Sequence, residues 1–307
     1  MKKVAIIDIG TNSMRLMIAT INNGQIVDRE KTLETTRMGQ GIDKNGYLSG
    51  ETIERNFAAL KKFVGIAHKQ KIEKIVAFAT SALRDASNRE EFIHKVEKEL
   101  SLEIQLLSGE REAEIGFKGV MGEIDTERLL VIDIGGGSTE FILGSKKEGI
   151  ESLTSINIGA LRMTEKFIAH DPISAVELKD LEKNIKEQLL PLKEKLSLME
   201  DAKIVGIAGT ITTLSAMKQQ MEYYDWRKIH QSTLSFKEIA GILQQLIPLN
   251  IEERKKIKGL QPKRADIIIA GIVILKCIME VFAIESIMIS ESDNLEGMVY
   301  ELLDLVF

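Results

Sequence analysis

Residues 129–144 read LLVIDIGGGSTEFILG. An apolar, β-branched run ends at Asp133, then come Gly135, Gly136 and Gly137, and Ser138, Thr139 and Glu140 lead into a second apolar run. Short runs of this composition, bounded by glycine, predict strand, tight turn, strand. The glycines leave the turn backbone uncovered, and successive N–H groups in such a turn can converge on one anion. Asp133 and Glu140 flank the turn, and carboxylates beside a phosphate imply a divalent cation between them. No Lys-Ser/Thr follows the glycines, which excludes a Walker loop, and the following strand excludes a dinucleotide fingerprint. Taken alone, the stretch reads equally well as a plain glycine hairpin.

The pattern occurs twice. Residues 4–19 read VAIIDIGTNSMRLMIA, and with Asp8 laid on Asp133 the pairs Ile7/Ile132, Asp8/Asp133, Ile9/Ile134, Gly10/Gly135 and Ser13/Ser138 match without a gap. A period this long exceeds any solenoid repeat, so it points to two related domains, each opening with a hairpin whose turn faces a shared cleft. A third piece, 203–217, reads KIVGIAGTITTLSAM. A strand that closes on Gly206 and Gly209-Thr210 just before a helix predicts either a further anion contact or a glycine-eased turn.

The chain has 307 residues, more than one ordinary core accommodates, and two domains are expected. Hydrophobic residues make up 44% and the mean hydropathy is −0.02, as in globular proteins. The one cysteine, Cys277, lies in an apolar helical pattern and reads as core filler in a reducing cytoplasm. No signal peptide is visible, because Asp8 interrupts the apolar start. The longest apolar run, 267–275, falls far short of the ~18 residues that span a bilayer. A net charge of −5 argues against a nucleic-acid binder, and a polyanionic substrate would have to be met by local cations. His68, His94, His170 and His230 show no metal-ligand spacing.

Outside the hairpins, residue spacing predicts strands at 25–34, 74–80, 103–107, 150–158 and 286–290. It predicts helices at 51–69, 89–100, 159–169, 175–198 and 263–282, and a last helix ending at Phe307. Residues 37–50 read as glycine-studded loop, Asn88 as the cap of the helix from Arg89, and Pro262 as a helix start. Ser108 reads as an N-cap with Glu110, Glu112 and Glu114 in the first turn, and Ser235 with Glu238 as a capping box. Residues 123–128 are polar and link a first domain, 1–124, to a second, 125–296. Tyr223-Tyr224-Asp225-Trp226 reads as a packing cluster in preference to a base-stacking loop.

Two such hairpins and a later Gly-Thr turn resemble the actin, sugar-kinase and heat-shock-ATPase superfamily. Within it, DIGTNSMR from Asp8, ATSALRDASN from Ala79, SGEREA from Ser108 and DIGGGSTE from Asp133 occur in the order of the Ppx/GppA family. Those proteins are the exopolyphosphatases and guanosine pentaphosphate phosphohydrolases, and the likeness runs from Lys3 to near the C-terminus. It implies an α/β fold of two actin-like (ribonuclease H-like) domains of mixed sheet plus helices, with an interdomain cleft and the helix at 297–307 crossing back to the first domain.

The resemblance implies an exopolyphosphatase that removes terminal phosphate from inorganic polyphosphate. Larger members carry extra C-terminal domains, so short chains are the expected substrates. Gly10, Thr11, Asn12, Ser13, Gly135, Gly136, Gly137, Ser138, Gly209 and Thr210 would bind phosphate through N–H and hydroxyl donors. Asp133 and Glu140, with Asp8 through water, would hold Mg²⁺, Mn²⁺ being the alternative. Arg84 would clamp the phosphate with its guanidinium fork. Glu112 carries over onto the family's catalytic glutamate, which orients and deprotonates water; position alone does not choose it over Glu110 or Glu114. No Asp or Cys nucleophile sits in a phosphatase signature, which favours direct attack by water.

Arg162 and Arg264 are candidates for contacts further along the substrate. The sequence departs from the family pattern at Ala208 and Asn294, where glycines are common, which leaves hydrolysis intact and weakens the case for strong guanosine recognition. Guanosine pentaphosphate hydrolysis, phosphate transfer to ADP or another acceptor, and a non-enzymatic nucleotide-binding role remain the alternatives. The expected setting is cytoplasmic, without nucleic acid or membrane, and a homodimer is among the expected assemblies.

Overall fold

The computed structural model describes residues 1–72, 74–193 and 201–306. It divides into two compact units, Met1–Gly122 with Asn294–Phe307, and Glu123–Asp293.

The first unit opens with a meander of β1 (Lys2–Ile9), β2 (Met14–Asn22) and β3 (Gln25–Glu34). It continues through α1 (Ile42–Asn45), α2 (Gly50–Lys69), β4 (Lys74–Ala79), α3 (Ser81–Asp85), α4 (Arg89–Leu100), β5 (Ile104–Leu106) and α5 (Gly109–Met121). The sheet order is β3-β2-β1-β4-β5, antiparallel through the meander and parallel from β1 to β5. Side chains alternate between the faces of β1. Ala5, Ile7 and Ile9 pack with Leu60 and Phe63 of α2 and Phe92 of α4, while Val4 and Ile6 pack with Ile115 of α5. With both faces covered, β1 is apolar almost throughout and does not alternate with polar residues.

The second unit repeats the meander with β6 (Arg128–Ile134), β7 (Thr139–Ser145) and β8 (Gly149–Ile156). Next come α6 (Ala160–Phe167), α7 (Ala175–Leu189), β9 (Lys203–Ile207), α8 (Ala208–Lys218), α9 (Trp226–Ile229) and β10 (Thr233–Ser235). The unit closes with α10 (Phe236–Leu246), α11 (Ile251–Arg254), α12 (Ile268–Val281) and β11 (Ser286–Ile289). Its sheet order, β10-β11-β9-β6-β7-β8, is the first unit's order with one antiparallel strand added at the edge. Helix α12 is apolar nearly all round, with Ile268, Ile269, Ile272, Val273, Leu275 and Cys277 all in the core.

The last helix, α13 (Asn294–Val306), belongs to the first unit, where Leu295, Met298 and Val299 join the core on the Val4 face. Glu296 is fully buried and bridged by Arg29 at 3.1 Å and Lys31 at 2.8 Å, which ties α13 to β3. A Cβ at Gly297 would lie 1.8 Å from the carbonyl oxygen of Ile115, so α13 and α5 cross backbone to backbone there. Two mixed sheets with helices give the expected fold class.

Several local expectations change. Residues 37–50 contain the short helix α1. Asn88 makes no cap bond; its side chain accepts from Leu48 N and donates to Leu48 O, clamping a distant loop. Pro262 opens only a 3₁₀ turn, Pro262–Arg264, and α12 starts at Ile268. The helix expected at 175–198 is α7 to Leu189 followed by a 3₁₀ turn to Leu192, and 194–198 lie outside the described residues. Tyr223 is 88% exposed and does not pack as expected, while Tyr224 is half-exposed with its hydroxyl donating to Glu291. Among the described residues, no helix is long and apolar enough to cross a membrane.

Candidate active site

Strand register assembles the first unit's half of the site. Ile9 pairs with Ala79 across β1–β4, and Ala79 with Leu106 across β4–β5. The β1–β2 turn, the start of α3 and the start of α5 therefore stand in a row at the carboxyl ends of three parallel strands, the edge where α/β sheets bind ligands. Ser108 caps α5 by accepting from Arg111 N, which sets Glu112 in the first turn. Glu112 is 8% exposed and its Oε2 lies 3.5 Å from Arg84 Nη1, which also donates to Leu107 O at 2.8 Å. The sequence-predicted catalytic pair is thus brought together.

The β1–β2 turn has a definite polarity. Gly10 N donates to Ser13 O at 3.1 Å, so that N–H is not available to a ligand, contrary to the sequence reading. The carbonyls of Thr11 and Asn12 accept from Gly39 N and Arg37 N, both at 2.9 Å. Among the described residues the one cis peptide is Asp171–Pro172, and in a trans peptide the next N–H points opposite to the carbonyl. The N–H groups of Asn12 and Ser13 therefore face away from the 37–39 loop. Thr11 Oγ1 and Ser81 Oγ share a buried 2.7 Å bond, and Asn12 Nδ2 donates to Ser13 Oγ at 3.1 Å. Asp8 is held by Arg15 through Nε at 3.0 Å and Nη2 at 2.5 Å.

The second unit repeats the arrangement. Asp133 pairs with Ile207 across β6–β9, and Gly206 with Ile289 across β9–β11, so the Gly135 turn and the start of α8 share a sheet edge. Gly135 N is committed to Ser138 O at 3.0 Å, the same correction as at Gly10. The carbonyl of Gly135 accepts from Ala160 N, and that of Gly136 from Leu161 N and Arg162 N, all in the first turn of α6. Gly137 O accepts from Arg162 Nε at 2.7 Å. With these carbonyls turned into α6, the N–H groups of Gly136, Gly137 and Ser138 face the other way, an orientation compatible with an anion nest. A Cβ at Gly159 would sit 2.4 Å from the Gly136 backbone, so only glycine lets α6 approach this closely. Arg162, a candidate for contacts along the substrate, braces this turn through Nε.

Asp133 and Glu140 are cross-strand partners, 7% and 1% exposed, and Ser155 Oγ donates to Glu140 Oε1 at 2.7 Å. Directly opposed carboxylates on one sheet face repel each other. Two hard oxygen donors buried this way fit Mg²⁺, which binds few carboxylates and keeps waters. Among the described residues no three His, Cys, Asp or Glu side chains form a metal-holding group. At the start of α8, Ala208 has φ 69, the left-handed region that favours glycine. Thr210 is 4% exposed and packs against Gly271 of α12, and the Arg264 guanidinium lies over Gly209. No side chain caps α8.

Sequence reasoning missed the bracing. Nothing in the local pattern of Gly39 or Gly159 marks them as backing the two turns, because the close approach joins segments far apart in the chain.

Comparison with known proteins is consistent with this geometry. Residues 17–306 match the Ppx/GppA phosphatase family. The chain is 32% identical to exopolyphosphatase 2 of Mycobacterium tuberculosis, covering 98% of both proteins. It is 44% identical to the bifunctional 3-dehydroquinate synthase/phosphatase of Fusobacterium nucleatum, covering 97% of this chain but only 46% of that one, so the chain spans about half of that relative. It is 29% identical to the guanosine-5'-triphosphate,3'-diphosphate pyrophosphatase of Vibrio vulnificus and spans 59% of it. The crystal structure of the Aquifex aeolicus member of the Ppx/GppA family superposes with a TM-score of 0.82 at 31% identity, covering 100% of this chain and 99% of that one. An exopolyphosphatase from Cytophaga hutchinsonii superposes at 0.89 with 29% identity and the same coverage.

Proposed function

The chain belongs to the Ppx/GppA phosphatase family, and we propose that it is a metal-dependent phosphoanhydride hydrolase that releases terminal phosphate from inorganic polyphosphate by direct attack of water. The observation that carries this reading is the Arg84–Glu112 pair at 3.5 Å, set beside an anion-cradling turn at the carboxyl ends of β1, β4 and β5.

Hydrolysis of a phosphoanhydride needs the phosphate held, its charge offset and a water aimed in line. The N–H groups of Asn12 and Ser13 and those of Gly136, Gly137 and Ser138 bind phosphate oxygens. Arg84 is anchored through Nη1 to Leu107 O and presents the rest of its fork to the phosphate. Glu112 orients the water and takes its proton at a carboxylate oxygen, a contribution of ~10²–10⁴-fold. Asp133 and Glu140 would hold Mg²⁺, which when bound offsets phosphate charge. Asp8, held by Arg15 through Oδ2, would join them through water.

The polyphosphate reading is placed before guanosine pentaphosphate because the chain is 32% identical to the exopolyphosphatase relative and 29% to the guanosine-5'-triphosphate,3'-diphosphate pyrophosphatase. The test is phosphate release from tripolyphosphate, long-chain polyphosphate and guanosine pentaphosphate, measured side by side with and without ADP. Fastest release from a polyphosphate, unaltered by ADP, supports the reading. Fastest release from guanosine pentaphosphate, or ATP formation from ADP, replaces it.

A further inference from the structure

Helix α3 carries Arg84, yet it has little to hold it in place by itself. It is one turn long, Ser81–Asp85, and no side chain caps its N-terminus. Isolated turns of this length are not stable helices, so tertiary hooks must fix its orientation. The structure supplies such hooks at both ends. At the C-terminal end, Arg84 Nη1 donates to Leu107 O at 2.8 Å and Arg89 Nη1 donates to Arg84 O at 3.0 Å. At the N-terminal end, Thr80 N reaches Ile9 O at 3.4 Å, a long and weak contact. The stronger hook is the side-chain bond between Ser81 Oγ and Thr11 Oγ1 at 2.7 Å.

Both hydroxyls are buried, Ser81 at 2% and Thr11 at 8% exposed. Thr11 is further fixed from behind: its Cγ2 packs on Gly39, where an added Cβ would lie 2.4 Å away. Its carbonyl accepts from Gly39 N at 2.9 Å. The Thr11 hydroxyl is therefore a structural anchor more than a phosphate ligand. It joins the β1–β2 turn, which presents the Asn12 and Ser13 N–H groups, to the helix that presents Arg84.

We propose that Ser81 is a positioning residue for phosphate hydrolysis: its buried bond to Thr11 locks Arg84 in register with the phosphate-binding turn of the first unit. This rests on the hydrolase reading above and adds a residue to it that never touches substrate. Ser81 acts through Arg84, so its effect depends on Arg84 being present.

The experiment measures kcat and KM on tripolyphosphate, and the calorimetric Kd for tripolyphosphate, in wild type, Ser81→Ala, Arg84→Ala and the double variant. Thr11→Val removes the same bond with little change of shape and guards against a folding artefact. A misplaced clamp costs turnover more than ground-state binding, so Ser81→Ala and Thr11→Val should each lower kcat roughly 10-fold with KM changed less than about threefold. The double variant should be no slower than Arg84→Ala alone. A purely structural serine would instead impose the same loss in both backgrounds, and that additivity, or an unchanged kcat in Ser81→Ala, overturns the proposal. If wild type binds tripolyphosphate without cleaving it, the hydrolase reading fails and the same non-additivity is required of Kd. If wild type neither binds nor cleaves it, both fall.

Discussion

The two hairpins share a fold and differ at one decisive cross-strand position. Asp8 in β1 faces Arg15 in β2, and Asp133 in β6 faces Glu140 in β7, at the same register. In the first unit the aspartate is neutralised internally by a guanidinium at 2.5 Å. In the second it stands across from another buried carboxylate, Glu140, which accepts from Ser155 Oγ at 2.7 Å. The bracing differs too. A loop with Arg37 and Gly39 receives the first turn's carbonyls, and the first turn of α6 receives the second's. One duplicated backbone thus carries an aspartate–arginine pair in one copy and an aspartate–glutamate pair in the other, and under the proposed function only the second would hold a cation.

The largest effect is expected from importing the first pairing into the second hairpin. Glu140→Arg should pair with Asp133, remove the cation site and lower phosphate release about 10³-fold, while the thermal unfolding curve stays cooperative. The reverse change, Arg15→Glu, should mainly destabilise, by about 2–3 kcal/mol in chemical denaturation, a figure discounted because Arg15 is partly exposed. If Glu140→Arg kept wild-type turnover, the contrast between the hairpins would have no catalytic meaning.

The bracing glycines give a graded test. Gly159→Ala would drive a Cβ into the Gly136 backbone at 2.4 Å, whereas Gly39→Ala meets the Thr11 methyl at 2.4 Å. Backbone cannot yield as a side chain can, so Gly159→Ala should cost about 10²-fold in kcat and Gly39→Ala about 10-fold. Equal effects would show that the two braces do not differ in stiffness.

A smaller effect separates the strand-to-helix turns. Thr80 before α3 has φ −116, but Ala208 opening α8 has φ 69. Relief of left-handed strain outweighs the added freedom of the unfolded chain only slightly, so Ala208→Gly should raise stability by about 0.5 kcal/mol, or roughly 1–2 °C in Tm.

The smallest concerns acid. Helices α7, α10 and α11 of the second unit carry reciprocal capping boxes, and in α10 Lys218 and Ser235 hold the Glu238 carboxyl down to about 2 from 4.5. A depressed carboxyl contributes stability in full above about 4.5 and loses it as pH falls toward 2. The Tm advantage of wild type over Glu238→Gln should therefore be present at pH 7 and fade through that window.

Much of this was legible in the sequence. The repeated Asp-Ile-Gly strands and their flanking apolar pattern specify both meanders, because a strand buried on both faces must be apolar along its length. Glu112 and Arg84 were legible only through the family motifs, since three acids share the first turn of α5 and spacing does not rank them. Glu140 was legible beside Asp133, but the meaning of Arg15 required register, which pairs it with Asp8 across the turn. Asn88 does sit at the N-cap of α4, but its side chain bonds Leu48, a partner too far away in sequence to be read from local spacing. The donor assignment at Gly10 and Gly135 failed for a local reason: each turn closes on its own serine carbonyl. That closure turns the following N–H groups outward.

The most direct test of the account is the rate of phosphate release from tripolyphosphate by wild type and Glu112→Gln, with Kd for tripolyphosphate measured on both. The account predicts a rate loss of about 10²–10⁴-fold with Kd changed less than about threefold. A variant that retains turnover within a few-fold of wild type would contradict it.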